Sequence, residues 1–245
     1  MVIKGLKGLF GFLTIFPVGM ESIDAISKYF FLSPLVGLTL GLVAGIFGFT
    51  LNIFLPQSIS GFIVLISIQL MTGFHHLDGL LDFSDAAMAR GDTKRRIEVM
   101  HDMFTGAAAV GSAVIVLTLT GLAFGSFSGW NILKAAIIAE IVAKESMVLT
   151  AYLGKVPNYK GMGFFVVESM KNKHLKALGS LLISAIIGFL LLDVSFIWIL
   201  LAMSITVLVL KSYSNSTLEG ITGDVLGATN EINRMIALLM ILIIK

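Results

Sequence analysis

Long apolar runs alternate with short polar connections along most of this chain. The stretches FFLSPLVGLTLGLVAGIFGFTLNIFL and VSFIWILLAMSITVLVL contain no charged residue. A helix needs about 20 predominantly apolar residues to cross the hydrocarbon core of a bilayer. Because that core holds no water, a spanning segment must satisfy its own backbone hydrogen bonds, as a helix does. The pattern therefore predicts an all-α, polytopic integral membrane helix bundle.

The apolar runs divide into seven predicted spans within a single transmembrane domain, 1–245. We expect the fifth and sixth spans to form a hairpin around Asp193 and the last span to be short. The N-terminal stretch contains Pro17 and lacks a small-residue cleavage site, which favours an uncleaved interfacial or re-entrant segment over a signal peptide. The predicted spans are 31–55, 58–81, 104–126, 130–153, 177–193, 195–211 and 232–244.

Lysine and arginine predict the orientation, because cytoplasmic loops carry an excess of both. The connections 82–103, 154–176 and 212–231 contain or adjoin such residues, whereas those on the opposite side contain none. We therefore expect a multi-pass protein of the cell membrane. Its N-terminus and its long polar loops, where chemistry is usually found, would lie on the cytoplasmic side.

Composition restricts the other partners. Of the 245 residues 57% are hydrophobic, the formal net charge is +2 and the mean hydropathy is +0.97. The basic residues are spread among loops, so no basic patch indicates a nucleic-acid partner. The absence of cysteine excludes disulfides and thiolate metal sites. The lipid bilayer is the expected partner, and a homo-oligomer stays open.

One stretch, GFHHLDGLLDFSDAAMARGDTKRRIEVMHD at 73–102, concentrates charge in this apolar chain. His75, Asp78, Asp82 and Asp85 are spaced 3, 4 and 3 apart, which places them on one face of a helix. Their like charges repel one another, and a divalent cation would remove that cost. Aspartate oxygens favour Mg²⁺ or Mn²⁺. The spacing therefore predicts a metal-binding carboxylate face.

Two other interpretations of this stretch stay open. The carboxylates also suit a solvated collar at the end of a helix, and the HHLD sequence is a weak zinc pattern. His76 points away from the predicted carboxylate face, so we expect an interfacial side chain there rather than a ligand.

The residues that follow favour phosphate binding. Asp92 is a good N-cap for the helix TKRRIEVMHD, on which Arg95, Glu98 and Asp102 share a face. Carboxylates, a divalent cation and nearby arginines suit phosphoryl transfer or pyrophosphate binding.

A second polar cluster, EGITGDVLGATNEINR at 219–234, lies on the same predicted side of the membrane. Thr222 or Asp224 begins a helix there, next to Gly223, and Asp224 and Glu231 are seven apart on one face. An ordinary helix cap in a polar loop is the competing interpretation. We predict one shared polar cavity lined by both clusters, as sites built between facing helices show.

The fourth predicted span contains Glu140, Lys144 and Glu145. Ionisable residues inside a membrane are functional candidates, but Glu140 and Lys144 are also four apart and suited to neutralise each other. An ion or proton transporter with this pair as its relay is an alternative function. Against it, the densest charge lies at a helix end and not at mid-membrane, where transport sites lie.

Four stretches together resemble the cobalamin synthase, or adenosylcobinamide-GDP ribazoletransferase, family. FLTIFPVG is similar to its N-terminal segment, and HLDGLLDFSDAAMARGDTKRRIEVMHDMFTGAAAVG follows its long aspartate stretch. PNYKGMGFF is similar to a Pro-Tyr-x-x-x-Gly-x-Gly loop, and ITGDVLGATNEI to a Thr-Gly-Asp-x-Leu-Gly-Ala-x-x-Glu signature. The likeness covers nearly the whole chain in order. A CDP-alcohol phosphotransferase pattern is only echoed, because DFSDAAMAR lacks its glycine.

The resemblance implies an enzyme that joins adenosylcobinamide-GDP to α-ribazole, or its 5′-phosphate, with release of GMP and with Mg²⁺ as cofactor. It also implies residue roles, in which aspartates hold metal and diphosphate, an acid or histidine accepts the hydroxyl proton, and cationic groups neutralise the phosphoryl oxygens. The candidate catalytic residues are Asp82, Asp85, His75, Asp224 and Glu231. The candidate metal ligands are Asp78, Asp82, Asp85 and Asp224. The candidate substrate contacts are Arg90, Arg95, Arg96, Asp102, Lys144, Thr222 and Gly223.

The chain departs from the family pattern at three places. Ala86 follows Asp85 where the family usually has glycine, and 102–106 lacks the arginine of an Asp-Ser-Arg-x-Gly segment. Lys144 stands where arginine is common. The resemblance therefore implies one phosphate contact fewer than the family pattern has.

Cysteine labelling tests the predicted orientation, since the chain has no cysteine to interfere. Single cysteines introduced within 90–96, 160–173 and 215–230 are expected to react only from the cytoplasmic side, because lysine and arginine mark that side. A cysteine within 127–129 is the control and is expected to react only from outside. Labelling of any of the first three regions from outside would contradict the predicted topology.

Overall fold

A computed structural model describes residues 2–19 and 21–244, which fold into twelve α-helices and two short 3-10 helices, Phe30–Leu32 and Asp193–Ser195. The all-α prediction is confirmed. The α-helices are α1 (Val2–Leu13), α2 (Ile23–Lys28), α3 (Ser33–Leu51), α4 (Gln57–Met71), α5 (His75–Met88), α6 (Thr93–Met100), α7 (Ala107–Phe124), α8 (Trp130–Leu153), α9 (Met162–Met170), α10 (His174–Leu192), α11 (Phe196–Thr217) and α12 (Gly223–Ile244).

Several helical stretches have the length and hydropathy of membrane spans. Four meet both criteria within the described chain, and α4 with α5 makes a fifth if the bent pair counts as one span. A multi-pass membrane protein is therefore supported, while the predicted number of seven spans is not confirmed. The four stretches are Phe30–Leu51, Ala107–Phe124, His174–Thr217 and Gly223–Ile244.

The stretch His174–Thr217 folds back on itself as the predicted hairpin. At its start, Tyr152 Oη lies 2.5 Å from His174 Nδ1, and at its end Lys155 N donates to Asn215 Oδ1 at 2.9 Å. Both ends therefore lie beside the C-terminal end of α8. The chain reverses at Asp193, whose φ of 51° cannot continue a right-handed helix.

The predicted second span, 58–81, is wrong as one continuous helix. The chain breaks between α4 and α5, and the two helix axes differ in direction by 92°. Gly73 and Phe74 both have positive φ, at 61° and 60°. Two successive left-handed residues cannot continue a right-handed helix. The N-terminal segment is held at the break, because Ile15 N donates to Met71 O at 2.9 Å.

The last helix is longer than the predicted 232–244. It begins at Gly223 and has 22 residues, a length of about 33 Å, which spans a hydrocarbon core of about 30 Å. Thr222 caps it, because its Oγ1 accepts from Val225 N at 3.3 Å and its carbonyl accepts from Leu226 N at 3.2 Å. The prediction that a helix begins here is confirmed.

The central helix of the bundle is α8, which is buried on nearly every side between Ile132 and Ala151. Glycines of α3 bring the two backbones together, and a Cβ atom at Gly41 would lie 2.5 Å from Ile137 Cα. Small residues allow such close approach between membrane helices. On another side of α8, Glu145 Oε2 accepts from Ser180 at 2.6 Å.

The long connections gather at one end of the bundle, which we call the polar end. It contains the C-terminal ends of α8 and α11 and the N-terminal ends of α10 and α12. Ile221 N donates to Lys155 O at 2.9 Å, and Arg96 Nη1 donates to Tyr213 Oη at 3.0 Å. The three predicted polar connections therefore lie on one side of the bundle.

Replacement of Gly41 by alanine tests the α3–α8 contact. We expect a lower unfolding temperature in detergent, with a loss of about 1–3 kcal/mol in the free energy of unfolding, because the added methyl group overpacks the contact. The control is Gly111→Ala in α7, where an added Cβ meets no atom within 4 Å. Equal unfolding temperatures for the two variants would contradict this packing.

Candidate active site

The two polar clusters become neighbours because α5 and α12 cross at glycines. A Cβ atom at Gly79 would lie 2.9 Å from the carbonyl oxygen of Asp224 and 3.2 Å from Gly227 Cα. A Cβ atom at Gly227 would lie 2.9 Å from the carbonyl oxygen of His76. The side chains that flank these glycines are therefore held at one crossing, although about 140 residues separate them in the sequence.

The crossing forms an acidic cleft, defined here as Asp78, Asp82 and Asp224. Asp78 and Asp224 line one cavity of about 360 Å³, together with His75 and His76. The negative charges that act most strongly on Asp82 are those of Asp224 and Asp78. The structure thus brings together residues from both predicted clusters, while their roles in binding and catalysis stay predictions.

His76 differs from its expected position. Its ring was expected at the membrane interface, but it lies buried at 4% exposure in the wall of the cavity. His76 and Gly79, which flank the aspartate face of α5, pack against α12, which a helical projection of α5 alone does not show.

Asp85 is turned toward the start of α7. Its Oδ2 accepts from Gly106 N at 2.5 Å and its Oδ1 accepts from Ala109 N at 2.9 Å. Both carboxylate oxygens thereby satisfy backbone donors that a helix N-terminus leaves without intrahelical partners. The predicted role of Asp85 as a metal ligand is not supported by this geometry. Its carboxylate anchors α7 to α5.

A second cavity of about 400 Å³ lies beside Asp85 and is lined by Arg90, Arg95 and Asp102. Arg95 is largely exposed, and its Nη1 lies 3.4 Å from Glu98 Oε2. Asp102 lies beyond the end of α6, where it accepts from a backbone N–H at 3.2 Å. These three predicted substrate contacts therefore share a cavity, although Asp102 is not on the predicted helix face.

Asp92 and Arg96 both bind backbone groups at the ends of helices. Asp92 caps α6 as predicted, because its Oδ1 accepts from Arg95 N at 3.0 Å. Arg96 Nη1 donates to the carbonyl oxygens of Ala86 at 3.1 Å and Ala87 at 2.8 Å. Cations stabilise the C-terminal end of a helix in this way. Arg96 therefore stabilises the end of α5, while its predicted contact with substrate stays a prediction.

A third cavity, of about 180 Å³, adjoins the cleft and contains two residues that the sequence did not single out. Tyr159 and His101 line it, with ring centroids 5.1 Å apart, opposite Thr222, Gly223 and Asp224. Burial, reinforced by the negative charge of Asp224, raises the pKa of Tyr159 to about 12. Tyr159 is thus a neutral hydrogen-bond donor across the physiological range. Tyr159 could have been found from the sequence, because it lies in the PNYKGMGFF stretch that resembles a loop of the family.

Glu231 and Lys144 lie in a buried ion network and not in the acidic cleft. Arg234 pairs with Glu140 through Nε and with Glu231 through Nη1. Lys144 Nζ lies 3.5 Å from Glu140 Oε2 and 2.7 Å from Asn230 Oδ1. These four charged side chains are 0 or 1% exposed. In this structure both Glu231 and Lys144 take part in the ion network, while their predicted catalytic and substrate roles stay predictions.

The ion network has no net charge. Two cations and two anions neutralise one another, which avoids the cost of an unpaired charge inside a membrane protein. Gln69 of α4 adds a hydrogen bond to Glu231 Oε2 at 2.7 Å. The ion network therefore joins α4, α8 and α12 beneath the acidic cleft. Glu140 and Lys144 thus form the neutralising pair that the sequence analysis gave as the alternative to a transport relay.

Within residues 2–19 and 21–244, no three histidine, aspartate or glutamate side chains form a complete set of metal ligands. Magnesium sites that act on phosphates usually need only one or two carboxylates, with substrate oxygens as further ligands. The acidic cleft provides carboxylates from two helices and suits that partial coordination.

Comparison with known proteins identifies relatives along nearly the whole chain. Residues 5–242 match the family model described as Cobalamin-5-phosphate synthase. An adenosylcobinamide-GDP ribazoletransferase of Methanococcoides burtonii is 33% identical, with 96% of this chain and 90% of the relative covered. Relatives of the same name occur in Methanosarcina mazei, 33% identical with 96% and 90% covered, and Sulfolobus acidocaldarius, 30% identical with 93% and 87% covered. No solved structure matches the chain significantly.

Removal of Glu140 tests the buried ion network. Glu140→Leu leaves Arg234 and Lys144 with one anion, so we expect a loss of about 3–5 kcal/mol in the free energy of unfolding. The double variant Glu140→Leu/Lys144→Met restores neutrality and should recover part of that loss. Glu98→Leu, which removes an exposed pair worth at most about 1 kcal/mol, is the control. Unfolding in detergent measures all three, and an unchanged Glu140→Leu variant would contradict the ion network.

Proposed function

Because the chain belongs to the cobalamin-5-phosphate synthase family, we propose that it is an adenosylcobinamide-GDP ribazoletransferase embedded in a membrane. It joins adenosylcobinamide-GDP to α-ribazole, or its 5′-phosphate, and releases GMP. The nucleoside 5′-oxygen attacks the phosphorus that stays attached to cobinamide, and the bond from that phosphorus to the oxygen of GMP breaks. The single observation that carries this proposal is the family match over residues 5–242.

The acidic cleft is the proposed Mg²⁺ site. One or two of Asp78, Asp82 and Asp224 would supply hard oxygen donors, and substrate oxygens would complete the ligand set. The mutual repulsion of the three carboxylates favours a bound divalent cation. Mn²⁺ fits the same donor set. When bound, the ion would neutralise charge on the diphosphate and on the departing GMP.

Arginines of the second cavity supply the complementary positive charge. Arg90 and Arg95 line this cavity, and the Arg95 guanidinium has an exposed glutamate as its near partner. Arginine binds phosphate oxygens through a planar fork of donors. We assign these two arginines to the diphosphate and GMP portion of the substrate. Asp102 borders the same cavity and suits the polar groups of the nucleoside.

Proton transfer is assigned to His75. The residue is exposed and lines the cavity of Asp78 and Asp224. Histidine is the most frequent side chain in general acid–base catalysis. It would accept the proton of the attacking hydroxyl, which leaves the aspartates free as metal ligands. Thr222 and Gly223 border the cleft at the start of α12 and are assigned to substrate contact.

The cleft lies at the polar end, with the lysine- and arginine-bearing connections. This distribution supports a cytoplasmic orientation in the cell membrane. The water-soluble substrates would then reach the cleft from the cytoplasm.

Purified protein in detergent, supplied with Mg²⁺, adenosylcobinamide-GDP and α-ribazole, tests the function through chromatographic measurement of GMP. We expect turnover by the wild type, loss on chelation and recovery with Mg²⁺ or Mn²⁺. Asp82→Asn and Asp224→Asn should each lower kcat by about 100-fold or more, because electrostatic stabilisation of the transferred group is lost.

Asp193→Asn, at the hairpin turn, is the control and should retain wild-type turnover. Absence of GMP release by the folded wild type would reject the proposed function. Normal turnover by Asp82→Asn or by Asp224→Asn would reject the proposed site while leaving the function in place.

A further inference from the structure

The second cavity, beside Asp85, combines charged groups with an aromatic ring. Arg90, Arg95 and Asp102 line it together with apolar residues that include Phe104. At about 400 Å³ it has the size of a small-molecule pocket, which is typically about 300–1,000 Å³. A ligand for this cavity therefore has polar groups of both kinds, donors and acceptors, and a flat apolar face.

Of the two carboxylates that line this cavity, one is available to a ligand. Both oxygens of Asp85 already accept from backbone N–H groups at the start of α7. Asp102 Oδ1 accepts from Phe104 N at 3.2 Å, but no residue of the described chain donates to its Oδ2. The side chain of Asp102 is exposed, so solvent and ligands reach this oxygen. An ionised carboxylate only accepts hydrogen bonds, so the matching ligand group is a donor.

The aromatic ring of the cavity is uncovered. Phe104 lines the cavity and is 83% exposed. Nucleobases stack on exposed aromatic side chains, because every base has a flat π-face. The hydrogen bond from Phe104 N to Asp102 ties this ring and the free carboxylate oxygen to the same short segment of the chain. A base that stacks on the ring therefore has a hydrogen-bond acceptor nearby.

Guanine has the complementary arrangement of polar groups. Its N1–H and N2–H groups donate side by side, which matches a carboxylate, and its O6 and N7 atoms accept, which matches the donor fork of an arginine. Adenine has an acceptor at N1 and lacks the 2-amino group, so it would place an acceptor against the carboxylate. A site whose polar groups pair with one base rejects the base that leaves them unpaired. The cavity therefore suits guanine better than adenine.

This inference rests on the proposed function. We propose that Asp102 selects the guanine base of adenosylcobinamide-GDP by accepting hydrogen bonds from its N1–H and N2–H groups, while Phe104 stacks on the base. Asp85 lies three positions after Asp82 on α5, so the cavity begins about 4.5 Å further along this helix than the acidic cleft. The diphosphate extends from the base past the arginines of the cavity toward the cleft.

Equilibrium dialysis of the purified protein against Mg²⁺ and free nucleoside diphosphates tests the selection of the base without turnover. The wild type should bind GDP at least about tenfold more tightly than IDP, whose base lacks the 2-amino group, as expected for one lost hydrogen bond to a charged group. ADP, which lacks both the N1–H and the N2–H donors, should bind more weakly than IDP.

The variant Asp102→Asn should reverse the preference between GDP and XDP. Xanthine has a carbonyl group at position 2, which a carboxylate repels but to which an asparagine amide donates. The variant should therefore bind XDP about tenfold more tightly than GDP, whereas the wild type should prefer GDP. Tight binding of XDP also demonstrates that the variant is folded. Asp193→Asn, at the hairpin turn, is the control and should keep the preference for GDP.

The variant Phe104→Ala tests the stacking contact. It should weaken the binding of GDP and of IDP equally, by about tenfold, because stacking does not depend on the groups at the edge of the base. Phe104→Trp should keep the wild-type affinity. Met103→Ala is the matched control, since Met103 is 95% exposed and does not line the cavity. Unchanged binding of GDP by Phe104→Ala would contradict the stacking contact.

Equal dissociation constants for GDP and IDP in the wild type would overturn the role of Asp102. A preference for GDP over XDP in Asp102→Asn, or the absence of GDP binding by the folded wild type, would overturn it as well. In each of these cases, GMP release from adenosylcobinamide-GDP by the same sample would leave the proposed function in place. Absence of GMP release would reject the proposed function itself.

Discussion

The neutral ion network around Arg234 holds α12 in register against α8 in the middle of the bundle. Arg234 of α12 pairs with Glu140 of α8 and with Glu231 one turn earlier, all of them buried. In a bundle surrounded by lipid, none of these charges can turn to water, so each needs its partner. The ion network therefore fixes how far α12 slides and rotates against α8. That register determines where the start of α12 lies at the polar end.

The start of α12 forms the candidate active site together with α5, which crosses it at glycines. The break after α4 turns α5 through 92°, and Gly79 and Gly227 let it lie against α12. Asp78 then lines one mostly apolar cavity with Asp224, and the charges of both act on Asp82. A second cavity, lined by arginines, lies beside Asp85. In the proposed reaction the acidic surface would hold the metal ion and the basic surface the diphosphate. The apolar surface suits an aromatic base.

Much of the architecture follows from sequence patterns because those patterns are local. Hydropathy predicts the helical membrane bundle, a hairpin at Asp193 needs only the apolar runs on either side, and the caps at Asp92 and Thr222 depend on residues three positions away. The break at 72–74 was missed because hydropathy is continuous there while the backbone dihedral angles change sign. Only the left-handed conformations of Gly73 and Phe74 reveal it.

The site residues were predicted less well wherever a partner lies on another helix. Spacing grouped Asp85 with Asp78 and Asp82, but its oxygens bind backbone N–H groups of α7, more than 20 positions along the chain. Spacing also paired Glu231 with Asp224, since it could not show that Arg234 and Gln69 surround Glu231. The cavity that contains His76 is lined by six separate helical segments, and no single periodicity encodes that.

The proposed divalent cation site combines carboxylates from two distant stretches of the chain at the α5–α12 crossing. Titration of the purified protein with Mn²⁺ in the presence of inorganic pyrophosphate, followed by electron paramagnetic resonance, measures the bound ion directly. We predict a bound ion in the wild type and at least about tenfold weaker binding in both Asp82→Asn and Asp224→Asn, since each removes a charged oxygen ligand. Unchanged binding in either variant would contradict a shared site.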